Sequence, residues 1–301
     1  MAALSVSCAK NAEASPVPSA TLTEVVIDAA SDGNGAQSPA QTAGELLPDA
    51  EPQTTAELLP TAEPLTTAGS PAFRDKLRGA LEKAEIPSEL ARSIEQTAAE
   101  NPSFIMDLLI ACEGDPYLHF LVDKRHYLPD GYEPDDLVEL KNGSYSVGRA
   151  GMLLRRNAAE ALEQMAAAAK ADGITLLASS TYRSYTYQVE VYARNVRESG
   201  QEQADRESAR PGTSQHQLGL VVDFGSITDE WAETRAGRWV AQNAGRFGWS
   251  LSFPDGYEEV TGYRWECWHY RYVGTDLAEF ISDYFGGIQQ YALRFIHEWT
   301  N

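Results

Sequence analysis

The sequence predicts an α+β fold in which helices flank a small, mostly antiparallel sheet. Three observations predict this class: apolar residues recur at helical spacing in several segments, short apolar runs have the length of buried strands, and the two kinds of segment do not alternate regularly. Apolar residues make up 43% of the 301 residues, which is enough for a sizeable core, and cysteines number only three. A wholly disordered, collagen-like or disulfide-dependent protein is therefore excluded.

Residues 1–70 differ in composition from the rest of the chain and predict a disordered spacer. They are rich in Ala, Thr, Pro, Ser and Glu, and they contain an imperfect repeat over residues 42–54 and 55–66. Such a segment cannot bury enough apolar surface to offset the entropy of ordering. Cys8 follows a short run of small and apolar residues that resembles the end of a bacterial lipoprotein signal, but no basic residue precedes it. Cys8 is therefore either a lipid-attachment site that anchors the chain to a membrane, with the true start upstream, or an ordinary cysteine.

The next segment, residues 71–114, is predicted to be a helical lead-in. Apolar residues recur at helical spacing from Phe73 to Ala84 and again after Pro87, and Pro102 opens a third short helix. The lead-in either packs on the following domain or stands apart from it.

Residues 115–301 are predicted to form the main domain. Its helices are expected over residues 153–171, 187–199, 231–247, 276–285 and 288–299, and its strands over residues 174–179, 218–224, 249–253 and 268–273. Gly173 and Gly248 follow two of the helices, where glycine commonly ends a helix. The order of these segments favours the mixed class over a doubly wound sheet.

The charge of the chain excludes one class of partner. Acidic residues number 44 and Lys plus Arg 24, which gives a net charge of −20. Because such a surface repels a phosphate backbone, we expect no nucleic-acid binding. The sequence has no run of 18 apolar residues, so no transmembrane helix is predicted. We expect a monomer.

Two of the five histidines lie in sequences suited to catalysis. His216 lies in a polar, glycine-flanked loop that leads into an apolar strand with one isolated acid, Asp223, whose charge is costly there unless it is paired or bound to a metal. His269 follows Glu266 by three residues, between large aromatic side chains. Two histidines and one aspartate are a three-ligand set with an open fourth position, and a nearby glutamate could serve as a general base. From spacing alone, it remains possible that these histidines only form hydrogen bonds. The other histidines are expected to have no metal role: His119 and His126 would pack or bond in turns, and His297 would lie at the surface.

These segments resemble the two motifs of VanY-type D-alanyl-D-alanine carboxypeptidases. These are zinc peptidases of the group that includes VanX dipeptidases, lysostaphin-like enzymes and the hedgehog fold. The first motif reads Gly212-Thr-Ser-Gln-His-Gln-x-Gly-x-x-x-Asp and the second Glu266-x-Trp-His-Tyr-Arg-Tyr-Val-Gly. Ser180-Thr-Tyr-Arg-Ser-Tyr-x-x-Gln resembles the family's substrate-arginine motif. The similarity keeps the same order over about residues 117–275 and does not cover residues 1–115.

The resemblance implies the family's fold and a serine-independent hydrolase with one zinc ion. Three residues would be the zinc ligands: His216, Asp223 and His269. Glu266 would be the catalytic base, and Arg183 would hold the terminal carboxylate of the substrate, which suits a planar guanidinium. Three more residues would line the substrate site: Ser214, Gln188 and Tyr182. The substrate would be the peptidoglycan stem pentapeptide, which would lose its terminal D-Ala in the cell envelope.

Three alternatives remain open at the level of sequence. A D-Ala-D-Ala dipeptidase shares the motifs and would work in the cytoplasm, a peptidoglycan endopeptidase would need a more open cleft, and a non-catalytic wall-binding module would keep zinc only for structure. The presence of Glu266 and Arg183 argues against the module, and the acidic spacer favours the envelope. The chain also departs from the family pattern at Cys267, where similar enzymes tend to have proline, and near Ser252, where they tend to have a basic residue. Cys267 is a packed apolar residue, an oxidisable thiol or a fourth ligand.

Overall fold

Helices account for most of the computed structural model, which describes residues 70–301; Cys8 and the predicted spacer over residues 9–69 lie outside the described residues. The described α-helices are α1 (Pro71–Lys83), α2 (Ser88–Glu100), α3 (Ser103–Ala111), α4 (Arg156–Ala171), α5 (Tyr185–Ser199), α6 (Gln201–Glu207), α7 (Arg235–Asn243), α8 (Glu258–Thr261), α9 (Thr275–Phe285) and α10 (Gln289–Thr300). Short 3-10 helices cover Gln215–Leu218, Asp229–Glu233 and Ala244–Phe247. No α-helix in the described range is both long and apolar enough to cross a bilayer.

The strands of the described range form two sheets. They are β1 (Leu137–Glu139), β2 (Ser146–Val147), β3 (Leu153–Arg155), β4 (Leu177–Ser180), β5 (Val221–Phe224), β6 (Trp249–Leu251) and β7 (His269–Tyr272). β1 and β3 pair with each other, and the other five strands follow the order β2-β4-β5-β7-β6. All neighbouring pairs are antiparallel except β2 and β4. The predicted class, a small and mostly antiparallel sheet flanked by helices, is confirmed.

Two apolar clusters hold these elements together. One surrounds the five-stranded sheet and includes Leu162 from α4 and Val222 from β5. The other joins the lead-in helices to the two C-terminal helices, and Phe104 of α3 packs there against Phe280 and Tyr284 of α9. The helical lead-in therefore packs on the C-terminal helices and does not stand apart.

The predicted helix over residues 153–171 begins later than its apolar pattern indicates. Leu153–Arg155 forms strand β3 and pairs antiparallel with β1. The Arg155 side chain contacts two carboxylates of the preceding segment, Asp115 at 2.6 Å and Asp136 at 2.7 Å. Contacts with residues far away in sequence therefore decide the conformation of these three residues.

The predicted helix over residues 231–247 is interrupted near its start. The Thr234 side chain accepts a hydrogen bond of 2.9 Å from the Gly237 backbone N–H, which makes Thr234 the N-cap of α7. The residues before it form a separate 3-10 turn. A threonine inside an apolar period thus marks a boundary between two elements.

Candidate metal centre

The centre of the sheet brings the candidate metal ligands together. The antiparallel register of β5 and β7 places Asp223 directly opposite His269. His216 lies in the 3-10 turn just before β5, and Gly219 ends that turn with a φ of 70°. A side chain is strained at this φ, and a Cβ at Gly219 would come within 2.9 Å of the Arg155 side chain. The turn therefore requires glycine there to return the chain into β5.

Three side chains offer ligand atoms around one point. Asp223 Oδ2 lies 3.3 Å from His216 Nε2, and Asp223 Oδ1 lies 3.1 Å from His269 Nδ1. The three ligand atoms lie within 4.8 Å of one another. His216 Nε2 and Asp223 Oδ1 are buried, and despite these short distances neither atom makes a well-aligned hydrogen bond. Because a buried polar atom without a partner is costly, these atoms fit a cation placed between them.

The two imidazoles face this point through different nitrogens. His216 Nδ1 lies 2.7 Å from the Thr181 carbonyl oxygen, to which it donates, so Nε2 is free to bind a metal. His269 presents Nδ1 instead, and its Nε2 lies 3.3 Å from Gln215 Oε1. Each ring can therefore offer one unprotonated nitrogen while the other nitrogen donates to a fixed acceptor. Two imidazole nitrogens and one carboxylate suit zinc.

Burial and pairing set the protonation states that the side chains of the centre have before a metal binds. Burial lowers the pKa of His216 to about 4. Burial also disfavours the charged forms of Asp223 and His269, but their mutual contacts outweigh it. The pKa of Asp223 therefore falls below its ordinary value, while the close contacts with the Asp223 and Glu266 carboxylates raise the pKa of His269 to about 9. At neutral pH His216 is therefore neutral, whereas His269 is positively charged. Its Nδ1 carries a proton that a metal must displace.

Zinc binding at neutral pH is therefore expected to release about one proton, because metal ligands must be deprotonated. Titration calorimetry in buffers of different ionisation enthalpy measures this number directly. The His126→Asn variant is a suitable control, since His126 bonds to Asp123 and lies outside the metal group; it should release the same number. Binding heats that do not depend on the buffer would show that His269 is already neutral.

Glu266 and Arg183 flank the three ligand residues. Glu266 Oε2 lies 3.4 Å from His269 Nδ1, and burial raises the pKa of this carboxyl group above its ordinary value. Arg183 Nη2 lies 3.9 Å from Asp223 Oδ2, and its Nη1 donates to Gln188 Oε1 at 3.1 Å. Arg183 Nε is buried without a partner. The guanidinium is thus fixed on one side and keeps donor capacity for a ligand.

A cavity of about 40 Å³ lies at this point. Five of the predicted site residues line it: Arg183, Ser214, His216, Glu266 and His269. An open cleft of about 550 Å³ also reaches Glu266 and continues past Trp268. Gln188 acts behind the cavity by holding Arg183, whereas the Tyr182 hydroxyl contacts Glu133 and Tyr182 does not line the cavity.

The other candidates from the sequence lie apart from this centre. Cys267 packs in the sheet cluster, with its Sγ 3.7 Å from the carbonyl oxygens of Thr228 and Asp229, and it is not part of the metal group. Cys112 and Cys267 are both free thiols. The packed apolar interpretation of Cys267 therefore fits its surroundings better than a ligand role.

Sequence reasoning missed the two groups that face the outer nitrogens of the imidazoles, Gln215 and Thr181. Gln215 stands inside the first motif, beside an assigned ligand, so its position could have suggested a role. Thr181 acts through its backbone carbonyl, which leaves no trace in residue identity. Only the first of these could have been found from the residues.

Comparison with known proteins decides the family. A model of the VanY family, described as D-alanyl-D-alanine carboxypeptidase, matches residues 151–275. A D-alanyl-D-alanine carboxypeptidase of Enterococcus faecalis (strain ATCC 700802 / V583) is 34% identical over 191 residues, which cover 60% of this chain and 68% of that protein. The chain belongs to the VanY family. The predicted resemblance is thereby confirmed.

This VanY-family chain is also similar to two further proteins. A putative carboxypeptidase of Bacillus subtilis (strain 168), YodJ, is 37% identical over 171 residues, or 54% of this chain and 62% of that protein. The chain thus matches less than two thirds of the length of YodJ. A mutant of the vancomycin resistance D,D-pentapeptidase VanY, solved in complex with Zn(II), is similar with a TM-score of 0.50 and 31% identity, covering 62% of this chain and 99% of that one.

Proposed function

We propose that the chain is a zinc-dependent D-alanyl-D-alanine carboxypeptidase that removes the terminal D-Ala from peptidoglycan stem pentapeptides. The observation that carries this proposal is the meeting, at one cavity, of the three-residue metal group with Glu266 and Arg183. The activity named for the Enterococcus faecalis relative and the Zn(II) bound to the VanY relative support it.

Each residue of the centre has a role that suits its chemistry. Zinc would be held by His216, Asp223 and His269, and when bound it supplies Lewis-acid chemistry at the scissile carbonyl. Glu266 accepts the proton of the attacking water and passes it to the leaving amine of D-alanine. Arg183 binds the free carboxylate of the substrate, and Gln188 keeps the guanidinium in place. Cleavage then falls one residue from the end of the peptide.

The two cavities support cleavage at a chain end. The small cavity reaches Arg183, whereas the large cleft is open to solvent, and Glu266 borders both. In the proposed binding mode the terminal D-Ala would lie toward the small cavity, with its carboxylate at Arg183, and the rest of the stem would lie in the cleft. An endopeptidase would need an open cleft on both sides of Glu266, whereas here the space on the Arg183 side is only about 40 Å³.

Product identification tests the function. The zinc-loaded chain is incubated with a UDP-muramyl pentapeptide, with free D-Ala-D-Ala and with a cross-linked muropeptide, and products are identified by mass. We expect the pentapeptide to become a tetrapeptide plus D-alanine, with no reaction after chelation. Preferred hydrolysis of the dipeptide would indicate a dipeptidase, cleavage within the cross-link an endopeptidase, and zinc binding without any cleavage a wall-binding module.

With such a substrate the enzyme would act in the cell envelope, whereas the dipeptidase alternative would act in the cytoplasm. Lipid attachment at Cys8 and a spacer over residues 9–69 stay predictions from the sequence, as does a monomeric state. We assign the catalytic role to residues 115–301.

A further inference from the structure

The two imidazoles of the metal centre are oriented by groups of different kinds. His216 donates to a backbone carbonyl, whose position the chain itself fixes. His269 depends on a side chain, because the acceptor facing its Nε2 is Gln215 Oε1 at 3.3 Å. A side chain with three rotatable bonds holds an imidazole only if other contacts fix it in turn.

Gln215 is held by a buried polar chain that leads away from the metal group. Gln215 Oε1 accepts a hydrogen bond of 2.7 Å from Ser252 Oγ. Ser252 Oγ also lies 3.3 Å from Gln289 Oε1, and Gln289 Nε2 donates to the Ser250 carbonyl at 3.2 Å. Gln215, Ser252 and Gln289 are only 5%, 2% and 1% exposed. Water therefore cannot readily replace any of these bonds.

We propose that Gln215 is a positioning residue that fixes the orientation and tautomer of His269, with Ser252 and Gln289 holding Gln215 in place. When His269 binds a metal through Nδ1, its remaining proton is on Nε2 and needs an acceptor, which Gln215 supplies. This inference rests on the proposed metal site.

The same chain connects the metal centre to the C-terminal helices. Gln289 begins α10, and α10 shares its apolar cluster with α1, α2, α3 and α9. Ser252 follows directly after β6, next to the strand that carries His269. In this proposal α10 fixes the position of Gln289, and the lead-in helices and α9 support α10 through their shared apolar cluster.

Zinc affinity measured on the full chain tests the proposal without relying on turnover. Gln215→Met removes the acceptor but keeps the size of the side chain, and we expect zinc affinity to fall by about 10- to 100-fold. Gln215→Glu keeps an acceptor oxygen and should restore affinity. Competition with a chromophoric chelator gives the affinity, and the visible spectrum of the cobalt-loaded protein reports whether the ligand geometry changes.

Gln217→Met is a matched control in the same turn. Gln217 is also buried, but its amide donates to the Tyr132 carbonyl at 3.0 Å, and no hydrogen bond joins its side chain to either histidine. This variant should keep wild-type zinc affinity and cobalt spectrum. Equal losses in the Gln215→Met and Gln217→Met variants would overturn the proposal, since they would indicate damage to the turn. Wild-type affinity in Gln215→Met, or no rescue by Gln215→Glu in folded protein, would also overturn it.

If Gln215→Met does not fold, Ser252→Ala and Gln289→Met decide the matter. Both should weaken zinc binding, and Ser252→Ala should have the larger effect because the Ser252 hydroxyl donates directly to Gln215, at 2.7 Å, whereas Gln289 contacts Ser252, at 3.3 Å, and acts on Gln215 only through it. Unchanged affinity in both variants would overturn the proposal. If Gln215 instead contacts the substrate, Gln215→Met should raise KM and leave zinc affinity unchanged. Zinc binding by the wild-type chain without release of D-alanine would refute the proposed function and leave this inference standing.

Discussion

Replacing Glu266 by glutamine is expected to lower kcat for D-alanine release by about 1000-fold, the scale of general acid–base catalysis. The amide cannot accept the proton of the attacking water, yet it keeps the size of the side chain. Glu266 is buried beside the metal group and borders both cavities, which is the position a base for the attacking water requires. The release rate of D-alanine and the zinc content of the same sample give the two quantities to compare.

The expected pattern for Glu266→Gln is loss of turnover with zinc and fold retained. Glu259→Gln is the control, because Glu259 is exposed on α8 and its replacement removes the same charge near the site. That variant should turn over substrate at the wild-type rate. Near-wild-type hydrolysis by zinc-loaded Glu266→Gln would show that another group takes the proton.

Local features of the sequence suggested the members of the metal group, and the resemblance to the VanY-type motifs was needed to assign them as ligands. Asp223 is a lone charge in an apolar strand, His216 is flanked by glycine and polar residues, and His269 stands at the start of another strand. Asp223 and His269 occupy paired strands, so the register of one sheet brings them together. The sequence predicted both strands, but their pairing and register are known from the structure.

Side-chain contacts between elements that are far apart in the sequence could not be predicted in the same way. Gln215, Ser252 and Gln289 belong to three elements, and Gln289 is one of many polar residues in a C-terminal helix. Nothing in the spacing of these residues indicates that they meet. Their contact depends on how α10 packs against the sheet, which only the structure provides.

The contacts of Arg271 could likewise not be predicted, although Arg271 belongs to the second motif of the sequence analysis. It is fully buried on β7, and its Nη2 donates to the backbone carbonyls of Tyr117, Leu118 and Phe120 at 2.9, 3.1 and 2.9 Å. Burial lowers its pKa to about 9, so it remains charged at neutral pH. Arg271 thus fastens the segment after the lead-in helices to the sheet, although the sequence assigned it no role.

Arg183→Ala is expected to lower kcat/KM for peptides with a free terminal carboxylate by about 100-fold, or about 3 kcal/mol. The same peptides with an amidated end should lose far less, because they have no charge for Arg183 to bind. The comparison uses an acyl-D-Ala-D-Ala peptide and its carboxamide, and the ratio of the two kcat/KM values is the measured quantity. In wild type this ratio should favour the carboxylate strongly, and in Arg183→Ala it should approach one.

Two further variants separate a direct grip on the carboxylate from general electrostatic attraction. Arg149→Ala removes an exposed positive charge close enough to affect Arg183, and it should leave the ratio nearly unchanged. Arg183→Lys keeps the charge but lacks the planar pair of donors, and should restore the ratio only in part. Equal losses on both peptides in Arg183→Ala would mean that Arg183 supports Asp223, 3.9 Å away, and does not read the end of the substrate. Two observations favour the direct grip. The bond from Nη1 to Gln188 fixes the guanidinium, which lines the cavity, and Nε is left without a partner as a further donor.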